Sequence, residues 1–264
     1  MGSRTRRQSP LLTACAVAGA AMVALAPGSS AHAAMIQLDV ASMGSVAGAQ
    51  SALAGFRTGK RRALTETFES FEAWDGAGST ATNDPLATAV GAFASLGSHG
   101  TGSACVNGCS GLQVGNASSS GLGVSGRTNT TAGGVNWLDS NDVEGIGWSV
   151  DASGIGGRFT DLAFLLTDVA DVGATLDVQF AGGASASARI LPRQPNGHIN
   201  FVTARFGGLV SSATVNIRNT HGATTNDGFG IDDATVAVPV PGTVALFGAG
   251  LLALAGGARR RPKG

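Results

Sequence analysis

The side chains best suited to chemistry in this chain are carboxylates gathered in three places. Asp139, Asn141, Asp142 and Glu144 form one group, Asp168 and Asp171 a second, and Asn226, Asp227, Asp232 and Asp233 a third. Calcium takes several carboxylate and carbonyl oxygens held by loops, and weak sites suffice outside the cell, where the ion is abundant. On that chemistry Asp139, Asp142, Asp168, Asp171, Asp227, Asp232 and Asp233 are the candidate calcium ligands. Calcium is the one cofactor the sequence suggests, although the spacing completes no EF-hand loop. The competing reading makes these residues turn formers and solvated edges, with any inward Asp held by backbone N–H groups. Strand alternation would send Asp232 and Asp233 to opposite faces.

Other candidate chemistry is thinner. Cys105 and Cys109 sit as Cys-Val-Asn-Gly-Cys in a Gly- and Ser-rich loop. An even pair in an exported chain reads as a disulfide, and Asn107-Gly108 can turn the chain sharply enough to close it. A metal reading would need more ligands, and His99 is one nearby partner with no obvious second. Trp74, Trp137 and Trp148 could stack on sugar rings, yet in a chain without Tyr such rings more often fill the core. His99, His198 and His221 lie in Gly- or Asn-rich loops, and no Gly-x-Ser-x-Gly elbow occurs. Glu69 and Glu72 could suggest glycoside hydrolysis, but the separation that chemistry requires is geometric and not legible here. The sequence therefore assigns no catalytic residue, and a hydrolase is the least favoured reading.

The elements that must position these groups are strands. Leu176, Val178 and Phe180 alternate with polar neighbours, as do Ala213, Val215 and Ile217, which is the period of a half-buried strand. Further strands are expected at 65–71, 88–95, 145–150, 159–167, 184–190, 199–206 and 228–237. Gly, Asn, Asp and Ser clusters separate them at short spacing. Nine or ten short strands with such connections predict an all-β fold, an antiparallel two-sheet sandwich of jelly-roll type.

The ends of the chain carry topogenic signals. Arg4, Arg6 and Arg7 precede an apolar stretch from Leu11 to Ala26, and Ala31-His32-Ala33 forms a cleavage site. Residues 1–33 thus read as a signal peptide cut after Ala33. Residues 34–63, rich in Ala, Gly and Ser and ending in Gly59-Lys60-Arg61-Arg62, are expected to be a low-complexity linker, or a segment trimmed at its basic run. Residues 64–237 are the β-sandwich domain, and 238–264 a separate tail. Although the chain balances 17 basic against 17 acidic residues, the signs are segregated. Between Ala63 and Ala237 six Arg stand against sixteen Asp or Glu, a balance of −10. So acidic a body repels phosphate backbones, which argues against a nucleic-acid partner.

In the tail, Val238-Pro239-Val240-Pro241-Gly242 leads into the apolar run Val244–Ala258 and then Arg259, Arg260, Arg261 and Lys263. The run spans 15 residues, about 22 Å of helix, against a hydrocarbon core of about 30 Å. It is expected to form a C-terminal hydrophobic anchor helix with the basic cluster left in the cytoplasm. So marginal a span suits a transient handle. This order of parts resembles the PEP-CTERM sorting tail of bacterial exported proteins, in the variant with a Val-Pro-x-Pro strip. The stretches Asn136–Asp142, Phe164–Leu176 and Asp227–Val236 look like the bodies that carry such tails. The resemblance implies signal peptidase and an exosortase-type membrane protease as partners, with membrane attachment through the tail before processing. It further implies a destination at the cell surface or in a polysaccharide matrix; the function expected for the acidic all-β body there is a structural or interaction role. A calcium-dependent glycan-binding module is the alternative.

Overall fold

The computed structural model describes residues 35–73, 84–99, 111–116, 126–169, 173–181, 183–220 and 228–239. The expected signal peptide, the segment with Cys105 and Cys109, and the residues from Val240 onward lie outside them. Within them the chain forms two antiparallel sheets and one α-helix. The first sheet contains β1 (Ile36–Met43), β2 (Lys60–Glu66), β5 (Gln113–Asn116), β6 (Asn136–Asp139), β8 (Phe159–Thr167), β11 (Ile199–Val210) and β13 (Gly230–Pro239). The second contains β3 (Leu86–Thr88), β4 (Gly91–His99), β7 (Val143–Asp151), β9 (Ala174–Phe180), β10 (Ser185–Ile190) and β12 (Ser212–Asn219). The first is ordered β1-β11-β8-β13-β6-β5, with β2 also on β13, and the second β10-β9-β12-β7-β4-β3.

Burial explains why the strands differ in pattern. β9 reads Ala-Thr-Leu-Asp-Val-Gln-Phe with Asp177 and Gln179 exposed, because the outer face of the second sheet meets water. β8 reads Phe-Thr-Asp-Leu-Ala-Phe-Leu-Leu-Thr and is buried almost throughout. Its Leu162, Phe164 and Leu166 face the other sheet, whereas Ala163 and Leu165 belong to a second apolar layer. Between the sheets Trp148 stacks on Phe93 at 5.3 Å and meets Phe164 edge-on at 6.0 Å. Its indole N–H donates to the Val90 carbonyl at 3.0 Å, satisfying the buried polar end of the ring.

The second layer corrects the expectation that 34–63 is a linker. These residues form β1, the helix α1 (Val46–Arg57) and the start of β2. Two helical glycines, Gly48 and Gly55, each cost about 1 kcal/mol relative to Ala, so α1 depends on packing rather than propensity. Ser45 caps its first turn, its hydroxyl accepting from the Gly48 N–H at 3.1 Å. Ala49, Leu53 and Phe56 fall at helical spacing and cover Ala163, Leu165, Ile199, Phe201 and Ala237 on the outer face of the first sheet. Three apolar side chains suffice because the sheet supplies the other half of the layer. The basic run is likewise built in, since Arg62 pairs with Val238 and Lys60 with Pro239 across β2 and β13.

Boundaries moved elsewhere too. The strand expected at 65–71 leaves the sheet after Glu66, whose carboxylate accepts from the Phe68 N–H at 2.8 Å while Phe68 takes φ +60°. The segment 88–95 is split by a turn into β3 and β4, with Gly91 at φ +119°. A Cβ at Gly91 would lie 2.0 Å from the Ser149 carbonyl oxygen, so no other residue fits there. The body extends past Ala237 to Pro239. No helix among the described residues is long and apolar enough to cross a membrane.

Leu53→Ala should lower stability by about 2–4 kcal/mol, the usual cost of emptying a buried Leu site. Chemical denaturation of the variant checks this, and an unchanged midpoint would return 34–63 to the status of a linker.

Candidate functional site

β13 holds the site because it breaks its own regularity. Along β8 its register slips by one residue between Asp232 and Thr235, and Asp233 adopts φ +51°. This β-bulge places two consecutive side chains on one face instead of alternating them. Both carboxylates reach the Thr130 hydroxyl, Asp232 Oδ2 at 2.8 Å and Asp233 Oδ2 at 3.1 Å. The expectation that the two Asp residues face opposite sides is therefore corrected.

The other edge of β13 explains what fills the gap. β6 pairs with Gly230 and Ile231, and β2 takes over at Ala234, so neither reaches Asp232 or Asp233. Into that opening comes the segment containing Thr130 and Thr131. The Thr130 N–H donates to Asp232 Oδ2 at 2.6 Å and the Thr131 N–H at 3.1 Å, while the Asp233 N–H donates to Asp232 Oδ1 at 2.7 Å. The Thr131 hydroxyl donates to Asp233 Oδ1 at 3.1 Å. α1 closes over this arrangement: Gln50 donates to the Thr130 carbonyl at 2.8 Å, and an Arg57 nitrogen lies 3.9 Å from Asp233 Oδ1. Arg57 also donates to Thr65, whose hydroxyl is 2.8 Å from that of Thr235. Nearby, Glu69 Oε1 accepts from the Val135 and Asn136 N–H groups and the Asn129 amide, all at 2.9 Å, fixing the turn that leads into β6.

Asp232 is fully buried and Asp233 nearly so. Burial, and then the neighbouring Asp233 charge, push the Asp232 carboxyl up to about 7, against the opposing hydrogen bonds from Thr130 and the Asp233 N–H. Burial also raises Asp233, opposed by the Thr131 and Thr130 hydroxyls and by Arg57. The two groups titrate as a unit that holds a proton well above the usual carboxylate range.

A proton-sharing carboxylate pair is acid–base machinery when substrate can reach it. Here both side chains are buried, and of the clefts among the described residues, of about 480, 520 and 320 Å³, neither Asp lines any. The pair acts as a clamp that ties the 126–131 segment and α1 to the bulge.

The other candidate ligands are separately engaged. Asp139 is buried, accepting from Arg127 at 2.9 Å, the Asn141 N–H at 2.7 Å and the Trp137 indole at 3.4 Å. Asp142 lies 3.8 Å from Arg127, and Asp168 Oδ1 accepts from the Gly197 N–H at 2.7 Å. Among the described residues no three His, Cys, Asp or Glu side chains converge on a position for a metal ion. Asp171, Asp227, Cys105, Cys109, Ala31, Ala33, Val240, Pro241, Gly242, Arg259, Arg260 and Arg261 lie outside those residues. Val238 and Pro239 are the end of β13. Trp137 and Trp148 are each 1% exposed, which removes both from any sugar-stacking surface, and Trp74 lies outside the described residues. His198 Nε2 is 2.8 Å from the Ser42 hydroxyl beside the 320 Å³ cleft.

Thr130 and Thr131 are what the sequence reading missed. Their signal was present only as a polar Asn-Thr-Thr stretch, about 100 residues away from the carboxylates they serve. Comparison with protein-family models, curated proteins and solved structures found no match.

The pair makes stability depend on pH in a defined direction. Because its folded-state affinity for protons is raised, its contribution is complete below about pH 4, the ordinary Asp range, and is lost as pH rises through about 7. The melting temperature should fall across that window. Asp233→Asn should keep the fold, since Thr130 and Thr131 hydroxyls can reverse to suit an amide, and should make the fall shallower. An unchanged slope in the variant would show that the pair is not its source.

Proposed function

We propose that this chain is an exported structural or interaction protein, delivered to the cell surface or extracellular matrix through its C-terminal tail by an exosortase-type system. The observation that carries this reading is the position of the tail on the fold. β13, the innermost strand shared by β8, β6 and β2, ends on Val238-Pro239, the first half of the Val-Pro-x-Pro strip. Only residues 240–243 then separate the sandwich from the apolar run that begins at Val244. A sorting strip placed directly at the edge of a folded domain suits a protease that removes a membrane handle and releases the domain beyond it.

The sandwich is of jelly-roll type on this reading. All its strand pairs are antiparallel, and from β6 through β9 and β10 through β13 the chain passes from one sheet to the other at each step. Interaction with polysaccharide belongs to the proposal as a property of the destination. The calcium-dependent glycan-binding alternative stands behind it, because two of its three rings are core residues and Asp139 already has a cation. The hydrolase alternative rests on Ser42 and His198, for which no third, orienting partner is in place among the described contacts.

Mass spectrometry of the protein recovered from an exporting bacterial host that carries such a protease tests the proposal. The expected product begins at Ala34 and lacks the residues that follow the strip. Recovery of a chain still ending at Gly264, or one retained whole in the cytoplasm, would overturn it.

A further inference from the structure

We infer that the end of the sandwich from which the tail departs is a docking surface for an anionic lipid bilayer; this deepens the proposed membrane attachment and rests on it. The body as a whole is acidic, yet its described cations are not evenly spread. Arg57 ends α1, Lys60, Arg61 and Arg62 open β2, Arg158 immediately precedes β8, and Arg205 lies in the last half of β11. The antiparallel register brings these positions to one end of the first sheet, the end where β13 finishes at Pro239. The other four described cations, Arg127, Arg189, Arg193 and Arg218, lie toward the opposite end, where β13 begins, among Asp139, Asp142, Glu144 and Asp168. An excess of positive charge is thus concentrated at the end where the tail leaves.

The carboxylates at the basic end do not cancel it. Asp161 is buried between Lys60, at 2.8 Å, and Arg205, at 3.9 Å, so one negative charge faces two positive ones. Asp151 is turned to its own turn, accepting from the Ser153 N–H and hydroxyl, both at 2.9 Å. Arg61 and Arg158 are exposed and have no hydrogen bond or ion pair among the described residues. Beside them a cleft of about 520 Å³ is lined by Lys60, Asp161, Arg205, Gly207, Gly208 and Pro239, two cations against one carboxylate, a charge excess that suits a phosphate headgroup.

Chain length fixes the distance. Five peptide steps separate Pro239 from Val244, at most about 17 Å of extended chain. With the apolar run in the bilayer, the basic end is held close to the headgroups, where cations act strongly on anionic lipid and screening sets in only beyond about 8 Å. Electrostatics therefore orients the sandwich with its tail-bearing edge on the membrane, where a membrane-embedded protease would need the strip to be.

Co-sedimentation of the full chain with vesicles tests this, using pure phosphatidylcholine and an equal mixture of phosphatidylcholine and phosphatidylglycerol. The wild type should prefer the anionic vesicles by about tenfold at low salt, and the preference should shrink as salt rises. Arg61→Glu with Arg158→Glu should remove most of that preference while leaving binding to neutral vesicles and the melting temperature unchanged. A double variant that keeps the full preference would overturn the inference and assign the effect to Arg259, Arg260 and Arg261 in the tail. Stronger binding to soluble alginate than to anionic vesicles would also overturn it, in favour of a polysaccharide surface. Failure of the underlying attachment looks different. If the wild type does not bind neutral vesicles, and Leu251→Asp with Leu252→Asp changes nothing, the tail does not insert, whereas the anionic preference and its loss in the double variant remain readable.

Discussion

The structure depends on how one strand meets three neighbours. β13 pairs along one edge with β8, and along the other with β6 at its start and β2 at its end. Two partners on one edge leave a break, and a break in a buried ladder exposes backbone groups whose desolvation costs more than an ordinary hydrogen bond returns. The bulge at Asp232 and Asp233 resolves it by replacing backbone partners with carboxylates. Asp232 alone receives three backbone N–H groups, two of them from a segment that belongs to no strand. Remove that acceptor and the 126–131 segment, the turn fixed by Glu69 and the seat of α1 all lose an attachment.

The same strand determines which layers can exist. Its inward residues Ile231, Ala234 and Val236 join the core between the sheets, and Ala237 joins the layer beneath α1. The first sheet is therefore sandwiched on both faces over part of its area, while the second keeps a wet outer face. Burying a side chain such as Leu53 or Phe56 contributes about 1.5–3 kcal/mol, comparable to what two glycines cost the helix. That balance explains why a segment of such plain composition is ordered at all. It also places Arg57 and the Lys60–Arg62 run on the body of the protein, at the edge from which the tail departs.

The two buried carboxylates of the bulge bind protons as a pair, and neither lines a cleft formed by the described residues. A group poised near neutrality is useful in catalysis only where a substrate can exchange protons with it. Here the perturbed groups tie the Thr130–Thr131 segment to the bulge of β13.

Much of the architecture was legible in residue order. Period-two alternation located β9 and β12, β8 was expected at its observed bounds 159–167, and an all-β sandwich followed from strand density and turn residues. The expected signal peptide and sorting tail were read from charged and apolar blocks alone, and both lie outside the described residues. What the sequence could not show was anything set by pairing across long separations. The two-faced burial of the first sheet gave Ala49, Leu53 and Phe56 their purpose, and no local feature of residues 34–63 reveals the surface they cover. Alternation placed Asp232 and Asp233 on opposite faces, and one extra residue in the register put them on the same face. The polar Asn-Thr-Thr stretch became a carboxylate clamp only because β2 and β6 share an edge of β13. Local periodicity encodes which side chains prefer to be buried; which buried groups meet, and whether a charge among them keeps its proton, is decided by tertiary contacts that no short window of sequence contains.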